Sequence, residues 1–308
     1  MKKPDLPPFD CRSMKAMNSK INLGDITIHQ KYWGGNGPHI LLLHGLASNL
    51  RIWDLVAPIL VQMGYSVTAI DQRGHGLSSK PSQGYDFDTT SKDVIRAINH
   101  IPLANPIVVG HSWGGNVAVH IGAHFPDHVR GICLIDGGLI EISRLPNNTL
   151  KKSLESMAPP DFKGWKREDM INRLQARDWG ERDAYSKKIN LDDIVLSNFH
   201  TGQNGDIAPH FHRSNHLKII SAFWDHKPTE LFSSIAVPTL IMLADRKDSE
   251  TSARTTTRDE ILGLAESLIP KSETIWLSES IHDVPLQRPL LIAEMLSRKI
   301  ENGFFAHR

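Results

Sequence analysis

Cysteine, net charge and long apolar runs are what this 308-residue chain has least of. Its two cysteines, Cys11 and Cys133, stand far apart, one in a polar leader and one inside the apolar run Gly131 to Ile135. That separation argues against a disulfide and for a reducing compartment, so the cytoplasm is the expected location. The 35 basic and 34 acidic residues leave a formal charge of +1, too little to draw in nucleic acid or an anionic membrane. No stretch approaches the roughly 18 consecutive apolar residues of a membrane span. The first twenty residues carry Lys2, Lys3, Asp5, Asp10 and three prolines, with no apolar segment of signal-peptide length. Residues 1–20 are therefore expected to be a flexible leader. What remains is an ordinary globular composition, 40% hydrophobic and 22% charged, with length enough for a sizeable core. Small-molecule chemistry is the class these absences leave.

Short apolar runs bounded by Gly, Pro or Asp alternate with stretches of helical periodicity, which predicts a mostly parallel sheet flanked by helices. The expected strands are His39 to Leu43, Ser66 to Ile70, Pro106 to Val109, Gly131 to Ile135, Pro238 to Leu243 and Glu273 to Leu277, preceded by a hairpin over Ile21 to Tyr32. The expected helices are Ile52 to Met63, Thr89 to Ile101, Gly114 to His124, Arg254 to Ile269 and Pro289 to Asn302. Between residues 139 and 234 the strand rhythm gives way to charged, helix-like pieces, Pro159-Pro160 and the stretch Gly202 to Gly205. The expected organisation is a core of residues 21–138 and 235–308, with residues 139–234 inserted as a helical lid. Its place in chain order sets it over the carboxyl ends of the strands, where open α/β sheets bind ligands.

Three motifs carry chemistry. Gly110-His111-Ser112-Trp113-Gly114 joins the apolar run Ile107 to Val109 to a helical stretch, the strand, turn and helix context that gives a G-x-S-x-G sequence meaning. A nucleophile on so sharp a turn needs neighbours without β-carbons. His44-Gly45-Leu46 directly follows another expected strand, where the Leu46 and Trp113 amides can serve as an oxyanion hole. Asp71 to Ser78, with Gly74 and Gly76, reads as a tight structural loop.

With these motifs in this order the chain resembles the α/β-hydrolase superfamily from about Ile21 onward, in His44-Gly45, Asp71 to Ser78, Gly110 to Gly115 and Ile281 to Pro289. The resemblance implies the α/β-hydrolase fold, with Ser112 as nucleophile and His282, after the last strand, as catalytic base. The acid has two candidate places. Superfamily members usually set it in a turn after the strand that is here Pro238 to Leu243, but this chain reads Ala244-Asp245-Arg246-Lys247-Asp248, with a lysine at the usual position and Asp248 one residue late. Haloalkane and fluoroacetate dehalogenases and zearalenone lactone hydrolases set it after the preceding strand, about two dozen residues beyond the nucleophile. Asp136, followed by Gly137-Gly138, stands there, and it is favoured over Asp248, with Asp245 third. A turn or capping aspartate is the plain alternative for Asp136.

The activity implied is cleavage of a small-molecule carboxylic ester or lactone through an acyl-enzyme, with no cofactor and no metal. The same residues also suit amide cleavage, carbon–carbon cleavage beside a ketone, or peracid formation. A non-catalytic ligand-binding module on the same scaffold is the other class of reading. Serine as nucleophile argues against dehalogenases and epoxide hydrolases, which need an aspartate there. Trp113 and His44 are expected to face substrate. His210, His212 and His216 have metal-like spacing but read as a polar segment, and Trp165, Trp179 and Trp224 as packing residues.

Overall fold

The computed structural model describes residues 16–101, 105–245 and 253–306. Its strands are β1 (Met17–Asn22), β2 (Thr27–Gly34), β3 (His39–Leu43), β4 (Ser66–Ile70), β5 (Ile107–His111), β6 (Gly131–Ile135), β7 (Phe199–Thr201), β8 (Ile207–Pro209), β9 (Thr239–Asp245) and β10 (Ser272–Ser278). Among the described residues eight of them form one sheet in the order β1-β2-β4-β3-β5-β6-β9-β10, parallel from β4 to β10 and antiparallel at β1 and β2. The central strands read as unbroken apolar runs because both faces are covered. Successive side chains point to opposite faces, so Leu41, Leu43, Val108 and Leu134 enter one core while Ile40, Leu42, Val109 and Cys133 enter the other. Complete burial of each such leucine or isoleucine stabilises the fold by about 1.5–3 kcal/mol.

The flanking helices are α1 (Val56–Gln62), α2 (Phe87–His100) and α3 (Trp113–His124). Helix α2 starts where Asp86 Oδ1 accepts the Thr89 N–H at 2.7 Å, and it buries Val94, Ile95 and Ile98 on one face. The expected helix from Ile52 is instead a 3₁₀ turn, Leu50–Trp53, followed by α1. Pro58 is the reason. A continuous helix from Ile52 would set its ring in the second turn, whereas in α1 it falls in the first, where no intrahelical N–H is needed.

Residues between β6 and β9 leave the sheet, although these strands are hydrogen-bonded neighbours. This insertion contains α4 (Leu150–Ser156), α5 (Arg167–Gln175), α6 (Asp192–Leu196), α7 (Arg213–Asp225) and α8 (Pro228–Leu231). It also contains an antiparallel pair, β7 with β8, turning through Gly202 to Gly205, so the segment expected as a helical insertion carries two short strands beside its helices. The insertion docks on loops at the carboxyl ends of three strands. Asn49 Nδ2, after β3, donates to Ser197 Oγ at 2.9 Å and to Asn198 Oδ1 at 2.8 Å. His75, after β4, stacks on Phe211 with ring centroids 3.8 Å apart. Asp283, after β10, pairs with Arg177. Helices α9 (Ala253–Leu268), α10 (Val284–Gln287) and α11 (Pro289–Glu301) complete the described chain.

Two boundaries differ from expectation. Strand β1 pairs with β2 from Met17, opposite Tyr32, so the last four residues of the expected leader belong to the sheet. Cys11 lies outside the described residues, while Cys133 is buried and its thiol is pushed up by desolvation. Among the described residues no helix is long and apolar enough to cross a membrane.

Candidate active site

The turn from β5 into α3 is strained at one residue. Ser112 has φ 53° and ψ −120°, a conformation that L-residues adopt only where the surroundings enforce it. Two backbone hydrogen bonds do so, Ser112 N–H to the Ile135 carbonyl at 3.0 Å and Gly115 N–H to the Ser112 carbonyl at 2.9 Å. The glycines are required by proximity: a β-carbon on Gly110 would lie 2.6 Å from the Gly115 nitrogen. Gly137 is required for a reason outside the motif, since its β-carbon would lie 2.6 Å from the Ser112 nitrogen. The pair Gly137-Gly138 thus makes room for the serine turn as well as ending β6.

Ser112, His282 and Asp136 meet. His282 Nε2 is 3.0 Å from Ser112 Oγ, and His282 Nδ1 is 2.6 Å from Asp136 Oδ2. A carboxylate only accepts, so Nδ1 carries the proton and Nε2 presents its lone pair to the hydroxyl. Asp136 is fixed at the ends of two strands, its N–H donating to the Met242 carbonyl at 2.8 Å and its Oδ1 accepting the Ala244 N–H at 3.2 Å. Asp245, the third candidate acid, is exposed at the end of β9. Asp248 and Lys247 lie outside the described residues.

The histidine loop is held by groups that sequence reasoning passed over. Gln287 Oε1 accepts the Ile281 N–H at 2.8 Å, and its Nε2 donates to the Glu279 carbonyl at 3.1 Å. His111, the residue before Ser112, donates from Nε2 to the His282 carbonyl at 2.7 Å. Burial pushes the His111 pKa down to about 4, with the neighbouring His282 ring acting in the same direction, so His111 is a neutral donor near pH 7. The only hint in the sequence is a polar residue closing an apolar strand. Replacing His111 by leucine is expected to lower acylation about tenfold, the effect of one buried hydrogen bond on the orientation of His282. Stopped-flow measurement of the acylation phase checks this.

Beside the serine, the loop after β3 approaches so closely that a β-carbon on Gly45 would lie 3.1 Å from Ser112 Cβ. Ala47, at φ 59°, donates its N–H to His75 Nε2 at 3.3 Å. Leu46 lies in this same loop, and Trp113 opens α3 directly after Ser112. The side chains of this neighbourhood correct an expectation, because neither Trp113 nor His44 faces a cleft. Trp113 is 1% exposed and packs 5.2 Å from the His75 ring, since the first residue of α3 points back into the core. His44 is fully buried with both ring nitrogens engaged: Nδ1 with the Gly45 carbonyl at 2.8 Å, and Nε2 accepting the Gln72 N–H at 3.0 Å. Asp71 accepts from the Leu50 and Leu77 amides at 2.8 Å each and lies 2.7 Å from His29 Nδ1, the structural role its loop suggested.

Among the described residues no group of three or more His, Cys, Asp or Glu side chains is arranged to hold a metal ion. His216 Nε2 lies 3.0 Å from the Met157 carbonyl, and the His210 ring is 5.2 Å from that of His200. Trp165 packs edge-on against Phe162, and Trp224 against one of the two main cores.

Comparison with known proteins agrees with this architecture. Residues 38–249 match the family model of the alpha/beta hydrolase fold. A non-heme haloperoxidase of Rhodococcus erythropolis is 31% identical over 224 residues, covering 71% of this chain and 77% of that protein. A 2-(acetamidomethylene)succinate hydrolase of Mesorhizobium japonicum is 33% identical over 129 residues, covering 41% of this chain and 45% of the relative, so the matching stretch spans less than half of that protein's length. The crystal structure of an E-2-(acetamidomethylene)succinate hydrolase superposes with a TM-score of 0.70 at 20% identity, covering 93% of this chain and all of the other, a likeness of fold.

Proposed function

Because the chain belongs to the α/β-hydrolase superfamily, we propose that it is a serine hydrolase that cleaves a small carboxylic ester or lactone through an acyl-enzyme on Ser112. The observation that carries this reading is the hydrogen-bonded series from Ser112 Oγ through His282 to Asp136. Ser112 Oγ attacks the carbonyl carbon and passes its proton to His282 Nε2. Asp136 accepts the Nδ1–H and stabilises the imidazolium without taking the proton. The Leu46 and Trp113 amides face the developing oxyanion, each worth about 10²–10³ in rate. His282 then returns the proton to the departing alkoxide, which leaves the acyl group on Ser112. Water repeats the sequence and restores the serine.

Relatives of varied activity share this chain's scaffold, but serine at the turn restricts which chemistry it supports. A dehalogenase or epoxide hydrolase forms an alkyl ester on an aspartate, and Ser112 cannot. Amide cleavage is a second reading, supported by the 33% identity to a hydrolase whose name specifies an acetamido compound. A panel of p-nitrophenyl esters, lactones and matching amides, of graded acyl length, separates the two. The expected result is ester or lactone turnover that exceeds amide turnover and disappears in Ser112→Ala. Turnover confined to amides would replace the first reading by the second, and ester turnover that persists in Ser112→Ala would remove both.

A further inference from the structure

A cavity of about 730 Å³ lies between the insertion and the loops that follow β3 and β4. Ala47, Ser48 and Gly76 form its core side, while Met157, Phe162, Leu174 and Phe199 supply an apolar wall from the insertion. Ser112 and His282 are not in the wall, but two lining residues belong to segments that reach the site. Ala47 is one residue beyond the Leu46 amide, and Arg177, also in the wall, pairs with Asp283 beside His282.

Its charge is one-sided. Arg173 and Arg177 line it, and no aspartate or glutamate does, in a chain that carries 34 acidic residues. Arg177 is balanced by Asp283. Arg173 has no carboxylate partner among the described residues, and its guanidinium stands 5.9 Å from the centre of the Trp165 ring. His210 and His216 line the same space. Burial lowers the pKa of both, so they contribute polar edges near neutral pH while Arg173 supplies the charge. A planar guanidinium at the exposed side of a wall that holds no carboxylate matches a carboxylate in shape, and its single uncompensated charge matches one negative charge better than the nearly two of a phosphate monoester.

We infer that the cavity receives a substrate chain ending in an ionised carboxylate, which Arg173 binds. The substrate class is then a monoester, or a lactone, that keeps a free carboxylate several bonds from the scissile carbonyl. This rests on the reading of Ser112 as an acyl-transfer nucleophile, but its test does not depend on turnover. The probes are monomethyl adipate, an anion, and dimethyl adipate, its neutral counterpart, titrated calorimetrically into Ser112→Ala protein. The anion is expected to bind at least about tenfold more tightly, an advantage that weakens with added salt and is lost in Ser112→Ala/Arg173→Gln, whose folding is checked by circular dichroism. Equal affinities, no detectable binding of the anion, or an advantage that survives Arg173→Gln would overturn the inference. Wild-type turnover of mono-p-nitrophenyl adipate reads the hydrolytic function separately. Anion-selective binding without turnover leaves the subsite standing and removes the ester reading, while turnover without selectivity does the opposite.

Discussion

Asparagine in place of Asp136 is expected to slow acylation by about 10³–10⁴-fold while leaving the fold intact. The substitution is isosteric, so the loss has an electronic cause. The asparagine amide can turn its NH₂ toward His282 Nδ1, which then becomes the acceptor, and the proton moves to Nε2. In that tautomer the nitrogen facing Ser112 Oγ, now 3.0 Å away, no longer has a lone pair for the hydroxyl proton. The imidazolium that forms during attack also loses its countercharge. Single-turnover kinetics with a chromogenic ester check the rate. Asp248→Asn, tested beside it, is expected to cost no more than a few-fold. The reverse pattern would assign the acid to the later turn.

Gly137→Ala is the other change with a large expected effect, although residue 137 lies outside the G-x-S-x-G motif. The added methyl would be 2.6 Å from the Ser112 nitrogen, inside van der Waals contact, and backbone is what it meets. Either the serine turn or the end of β6 must move. Shifting the first displaces the nucleophile, and shifting the second displaces Asp136, the adjacent residue. A misplacement of about 1 Å costs on the order of 10² in rate, and overpacking costs about 1–3 kcal/mol of stability. Gly263→Ala is the matched control. It lies within α9 with open space around it, so the same methyl should stabilise the protein by about 0.5–1 kcal/mol, as alanine does over glycine in a helix. Thermal denaturation and kcat/KM measured on both variants test the contrast. Activity of Gly137→Ala within a few-fold of wild type would refute the packing argument.

The sequence carried the sheet well because strands buried on both faces leave apolar runs that little else explains. β3, β4 and β6 begin and end where the runs do. Helix starts were less legible at α1, where one proline decides the boundary. For the site, Ser112 and His282 were visible because their constraints are local: a turn that excludes β-carbons, and a loop after the last strand. Asp136 was accessible by spacing and by Lys247 occupying the alternative position. His111 and Gln287 were not, because what they do depends on residues brought near by folding. His111 acts on a carbonyl 171 positions away, and Gln287 holds a loop through a side chain that the sequence alone cannot orient. The expectation for Trp113 and His44 failed for a related reason. Adjacency along the chain to Ser112 or to the oxyanion loop says nothing of direction, and both rings turn into the core, with His44 fully buried and Trp113 1% exposed.

The central claim is that the Ser112 hydroxyl is activated by His282, and reaction with a fluorophosphonate tests it most directly. Intact-protein and peptide mass spectrometry should find one phosphonyl group per chain on Ser112 in the wild type, none in Ser112→Ala, and greatly slowed labelling in His282→Gln. Folded wild-type protein that stays unlabelled, or that is labelled at a different residue, would contradict the account.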